Sequence, residues 1–133
     1  MLESDLARGL DLARAGEYFA AHEALEDAWR AADPAEKDFF QGLVHVVVAW
    51  YQAGRGNKTG CGRQLEKAAR RLGPFSPEHR RVNVAALLSQ VAAAQALGTL
   101  ELRPLDVPQP DIVQEAVQED SKPPVAMEEE EQA

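Results

Sequence analysis

The sequence predicts an all-α fold, a compact bundle of about five helices followed by a disordered acidic C-terminal tail. Apolar residues recur at three and four positions from Leu2 to Leu97, and Gly- or Pro-bearing breaks separate these runs. Beyond Gly98 the chain becomes Pro-punctuated and then acidic. The expected division is a helical bundle over residues 1–103 and a Pro-containing, largely disordered tail over residues 104–133. With 133 residues and 45% apolar side chains, the chain can build one modest core and still carry such a tail.

Leu2, Leu6, Leu10 and Ala13 mark the stripe of a first amphipathic helix, which the Ala15-Gly16 break ends. A second helix is expected over about 17–31. It stops before Asp33-Pro34, where Asp can cap and Pro can occupy the first turn of the next helix. The third, over about 35–53, is apolar on nearly every side: Phe39, Phe40, Leu43, Val44, Val46, Val47, Val48, Trp50 and Tyr51. Such a helix belongs at the centre of a bundle. Its valine run alone would suit a strand, but its length and the polar turns on either side favour a helix. Gly54-Arg55-Gly56-Asn57 reads as a stop and turn, and a fourth helix is expected over 59–72 despite Gly60 and Gly62 near its start. Gly73-Pro74-Phe75-Ser76-Pro77 breaks it. A last helix is expected over about 78–97, where Val82, Leu87, Leu88 and Val91 stand among abundant alanine. From about Glu119 the composition is that of disorder, ending in MEEEEQA.

The formal net charge of −8 resides in the tail, because residues 1–103 hold 13 basic and 13 acidic side chains. Within that part the signs segregate. Residues 1–54 carry 4 basic and 10 acidic groups, and residues 55–81 carry 8 basic and 2 acidic groups. Arg63, Lys67, Arg70 and Arg71 fall at helical spacing and, with Arg80 and Arg81, form a candidate anion-binding patch, open to phosphates, an acidic partner or the chain's own tail. The patch lacks interleaved aromatic residues, which argues against nucleic acid. The longest apolar run, residues 46–51, has six residues and is far too short to cross a membrane. The N-terminal residues are acidic where a secretory signal is basic. The lone cysteine, Cys61, rules out an intrachain disulfide and agrees with a reducing compartment. A cytoplasmic protein is therefore expected.

Two segments set polar residues into apolar helical faces: GEYFAAHEALEDAW over 16–29 and FFQGLVHVVVAWYQAGRGN over 39–57. Burying a polar group is costly without a partner, so such placements mark a specific constraint. At 100° per residue, Tyr18, His22, Leu25 and Trp29 share one face, with His22 mid-stripe and Glu26 at its margin. On the third helix Gln41, His45, Val48 and Gln52 form a line. The candidate polar cluster is therefore His22, Glu23, Glu26, Gln41, His45 and Asn57. A His22–Glu26 pair serves either as a hydrogen-bonded lock on helix register or as an acid–base or metal-binding pair. The segment His22-Glu23-Ala24-Leu25-Glu26 has Glu26 where the H-E-x-x-H zinc helix has its second histidine, so only His45 could complete a ligand set, and no metal is assigned. Cys61 lies near a helix N-terminus but has no clear histidine partner, and is read as incidental.

These residues carry a resemblance. GEYFAAHEALEDAW, FFQGLVHVVVAWY and RGNKTG resemble the small prokaryotic family known as domain of unknown function three-zero-nine, over about residues 2–72. The resemblance implies a compact all-α bundle and brings no established activity with it. It maps the family's characteristic positions onto Phe19, His22, Glu23, Glu26, Trp29, Gln41, Gly42, Arg55, Gly56 and Asn57. His45 stands where the resemblance implies glutamine, and Cys61 where it implies alanine. The leading functional reading is a non-catalytic binding or protein-interaction module, acting on a protein partner or on a second copy of itself. The alternative is a hydrolase-like or metal-binding enzyme using His22 and Glu26. The sequence names no cofactor.

Overall fold

The structure is a computed structural model and describes residues 1–109. The expected acidic, disordered tail lies, from residue 110 onward, outside the described residues. Five helices succeed one another: α1 (Leu2–Arg14), α2 (Tyr18–Ala31), α3 (Lys37–Gly54), α4 (Lys58–Leu72) and α5 (Val84–Leu97). Each packs on its neighbour in sequence, and α3 is clasped between α2 and α4. The burial of α3 explains that order. Phe39, Phe40, Leu43, Val46, Val47, Ala49 and Trp50 are all buried, so its flanks must be covered.

The turns arise from their residues. At the ends of α1 and α3 the glycines Gly16 (φ +80°) and Gly56 (φ +78°) take the left-handed conformation. The next amides reach back five residues, Glu17 N–H to Leu12 C=O at 2.9 Å and Asn57 N–H to Gln52 C=O at 2.9 Å, and so satisfy the last carbonyls of each helix. Asn57 then caps α4, its Oδ1 accepting from Gly60 N–H at 2.9 Å. The C-terminus of α2 is closed by Lys37, whose ammonium donates to the Trp29 carbonyl at 2.6 Å and lies over the Trp29 ring. Pro34–Glu36 form a 3-10 turn, so α3 begins two residues later than expected.

The largest departure from expectation is the start of the last helix. Residues expected to be helical form a two-residue hairpin, β1 (Glu78–His79) against β2 (Val82–Asn83), with Glu78 opposite Asn83 and His79 opposite Val82. Its turn residues Arg80 (φ 49°) and Arg81 (φ 65°) are both left-handed, a conformation that ordinarily calls for Asn or Gly. Tertiary contacts compensate. Glu36 Oε1 accepts from Arg80 Nε at 2.7 Å and from His79 Nε2 at 2.8 Å, and Arg80 also reaches Glu3 on α1. Those hydrogen bonds, Arg80 first, hold the Glu36 carboxyl below the usual carboxylate range. Asn83 then caps α5, its Oδ1 accepting from Ala86 N–H at 2.9 Å.

After Gly98 the chain crosses back over the bundle as a strap without regular secondary structure, residues 99–109, that buries Leu105 and Val107. The described chain thus stays packed on the helices past residue 103.

The α3–α4 crossing depends on Gly42. A Cβ at that position would stand 2.6 Å from Cγ of fully buried Leu72, so the helices approach there because no side chain intervenes. Gly42→Ala gains about 1 kcal/mol of helix propensity but overpacks the crossing at about 1–3 kcal/mol. A net loss is expected in urea unfolding. Gly62 on α4 has open space around its Cβ position. Gly62→Ala should accordingly stabilise the same protein by about 0.5–1 kcal/mol.

Candidate functional site

The two polar lines do not meet as one cluster. On α2 the buried face is Ala21, Ala24, Leu25 and Ala28, which leaves His22 half-buried at its margin, not mid-stripe. Its Nδ1 donates to the Phe19 carbonyl at 3.2 Å, and its Nε2 lies 3.3 Å from Glu26 Oε2. Glu26 also lies near Arg30 at 3.6 Å, and Glu23 is exposed. His22 borders a recess of about 160 Å³ formed with Phe19, Val48, Tyr51 and Gln52. The rings of Phe19 and His22 are 5.2 Å apart and those of Phe19 and Tyr51 5.3 Å apart. Arg55 stands over Tyr51 at 5.6 Å and donates to its hydroxyl at 3.3 Å. Asn57 donates to Gln52 Oε1 at 3.1 Å, which fixes the lower wall of the recess from the cap of α4.

His45 belongs to a different seam. It is buried, at 9% exposure, and its Nδ1 lies 2.7 Å from Gln64 Oε1 on α4. An amide oxygen only accepts, so Nδ1 carries the proton. Nε2 is buried without a hydrogen-bond partner among the described residues. Burial, and then the cations Arg71, Lys67 and Arg70, push the imidazole below its ordinary value, against the hydrogen bond to Gln64. Gln41 is half-buried one turn earlier on α3. The line from Gln41 to Gln52 therefore runs along a seam, with His45 turned to α4 and Val48 and Gln52 bordering the His22 recess. Among the described residues no group of three or more His, Cys, Asp or Glu side chains stands ready to hold a metal.

The basic patch is also divided. Arg71 is paired with Asp38 on α3 at 2.6 Å, and Arg80 is drawn to Glu36 and Glu3. Arg63, Lys67 and Arg70 remain exposed along α4, and Arg81 is exposed at the hairpin turn. Cys61 is buried, and burial pushes its thiol up, which overrides any pull toward thiolate from the helix end.

Once the recess is assembled, its residues fall inside one family pattern. Residues 6–63 match the model of the family described as Domain of unknown function (DUF309). The resemblance read from the sequence holds over that segment. No curated protein matches the chain. The matched segment runs from α1 into α4 and contains Phe19, His22, Glu26, Val48, Tyr51, Gln52, Arg55 and Asn57, the whole recess with its supports. Gln64, the partner of His45, lies just beyond it. The expected cluster leaves out Tyr51 and Gln52, because the sequence shows Tyr51 among the apolar residues of the third helix and Gln52 on its polar line without saying what either one faces. The signal available was Phe19, an apolar residue facing away from its own helix's buried stripe.

None of the described helices is long and apolar enough to cross a membrane.

His45 gives a pH signature. Its folded value is depressed, so just below the ordinary histidine value of about 6.5 the unfolded chain binds more protons than the folded chain. Stability is then fully present above that value and falls as the pH drops from about 7 toward 5. His45→Gln removes this titration and leaves His22 and His79 in place. Urea unfolding of both proteins across that range should show a flatter pH profile for the variant.

Proposed function

We propose that this protein is a non-catalytic, cytoplasmic binding module that docks another protein through the Phe19–His22–Tyr51 face. The observation that carries the reading is Phe19, which is 51% exposed yet packed, at a tilt of 47°, against the rings of both His22 and Tyr51. An aromatic side chain held in place while open to solvent is poised to bury area against a partner at low entropic cost. The recess beside it, about 160 Å³, lies below the roughly 300–1,000 Å³ of small-molecule sites. It has room for one inserted side chain. Tyr51 and Arg55 supply the residue types enriched at the energetic centres of interfaces.

The enzyme reading draws less support. Both ring nitrogens of His22 face protein oxygens, the Phe19 carbonyl and the Glu26 carboxylate. A general base or a metal ligand needs one of them free. The cytoplasmic assignment rests on the single cysteine of the sequence and its buried, unpaired state.

The reading is tested by placing a photoreactive phenylalanine analogue at position 19 and irradiating intact cells. A discrete protein adduct is expected, lost in Tyr51→Ala and Arg55→Ala and retained in Lys67→Ala. Phe19→Ala itself should cost under about 1 kcal/mol of stability, because half of the ring is already in water, whereas a core phenylalanine costs about 3–5 kcal/mol. A core-sized loss at Phe19, with no adduct, would remove the binding face.

A further inference from the structure

The strap over residues 99–109 is held in an unusual way. Arg14 on α1 donates to the Val107 carbonyl at 2.7 Å and, more weakly, to the Pro108 carbonyl at 3.4 Å. Tyr18 on α2 accepts from Leu105 N–H at 3.1 Å, and Trp50 on α3 donates to the Arg103 carbonyl at 2.8 Å. Gln90 on α5 does both: its Nε2 donates to the Asp106 carbonyl at 2.7 Å while its Oε1 accepts from Asp106 N–H at 2.8 Å. Four helices thus each present one side chain, and every one of these contacts is to strap backbone.

Backbone contacts read extended conformation without reading sequence. Gln90 pairs with Asp106 as a neighbouring β-strand would, by one donor and one acceptor. Selectivity comes from alternation over three residues, since Leu105 and Val107, two residues apart, both enter the core, while Asp106 between them faces solvent. This division of labour, main-chain bonds for affinity and alternate side chains for choice, is that of a peptide-recognition groove. The strap also leaves the groove incompletely filled. An open space of about 800 Å³ remains between it and α5, bordered by Trp50, Ala93, Leu102 and by Leu97, which is 52% exposed. A second hollow of about 470 Å³ lies on its other side, against Tyr18, Trp50 and Leu105.

We infer that the cleft between α1–α3 and α5 is a peptide-binding groove that the chain's own strap occupies in cis. The partner it fits is an extended, Pro-containing protein segment that presents two aliphatic side chains two residues apart, in the order Leu-x-Val-Pro. Such a segment competes with the strap, and the occupied and vacated groove are the two states through which a partner is sensed. This site is separate from the Phe19 face and stands or falls independently of it.

The test uses the full chain. In the variant L105D/V107D the strap is disfavoured from the groove, and the probe is a fluorescent peptide of residues 99–109 followed by anisotropy. The tethered strap acts at an effective concentration on the order of 1 mM, so a peptide binding the vacated groove at about 10 μM should bind wild type about 100-fold more weakly. The same two Asp substitutions in the peptide should abolish binding, and Gln90→Ala in the vacated chain should weaken it. Should L105D/V107D unfold, the proposal requires the wild-type peptide to restore its helical circular dichroism and melting transition. Equal binding to both chains, or neither binding nor rescue, would overturn the groove. Dimerisation of wild type that L105D/V107D removes, without binding of free peptide, would assign the groove to a second copy and likewise overturn the proposal.

Discussion

The burial of α3 is the constraint on which the rest of the molecule depends. An 18-residue helix with 11 buried residues cannot exist alone in water, because its exposed apolar surface would cost about 25 cal/mol per Å². Its neighbours cover it, and α1 and α5 pack in turn on α2 and α4. Helices α2 and α4 take its flanks, with Gly42 letting α4 approach closely. The strap reaches α3 at Trp50, whose buried indole N–H donates to the Arg103 carbonyl at 2.8 Å.

The same constraint explains why the polar residues of α3 lie on seams. Where two covering elements meet, a polar side chain can reach a partner on either of them. His45 turns to Gln64 on α4, and Gln52 to Asn57 at the α3–α4 turn. Both serve the packing of α4 against α3. Phe19 and Tyr51 differ, since their exposed edges satisfy no packing need of the bundle. That difference, more than any titratable pair, singles out the recess.

The helices were legible because their signals are local. Periodicity, the Gly16 and Gly56 stops, and the Asn57 cap are each set within a few residues. The hairpin over 78–83 was not legible, because its left-handed turn uses Arg80 and Arg81, which have no intrinsic preference for that conformation. It is stabilised by Glu36 and Glu3, at separations of 44 and 77 residues. The candidate cluster failed to assemble for a related reason. Helical spacing places His22 and His45 on faces but does not say which neighbour each face meets, and one seam separates them. The motif over 16–57 nevertheless lies inside the family segment and spans the residues of the recess, although of these only His22 stood in the candidate cluster.

If α3 is the permanent core and the strap a replaceable cover, the two must differ in how they open. Native-state hydrogen exchange measures this amide by amide. The amides of Leu105 and Asp106, bonded to Tyr18 and Gln90, should exchange through a local opening well below the free energy of global unfolding. Central α3 amides, such as those of Val46 and Val47, should exchange only when the whole molecule unfolds. Identical opening free energies for the strap and α3 amides would contradict the account, since the strap would then be an inseparable part of the core.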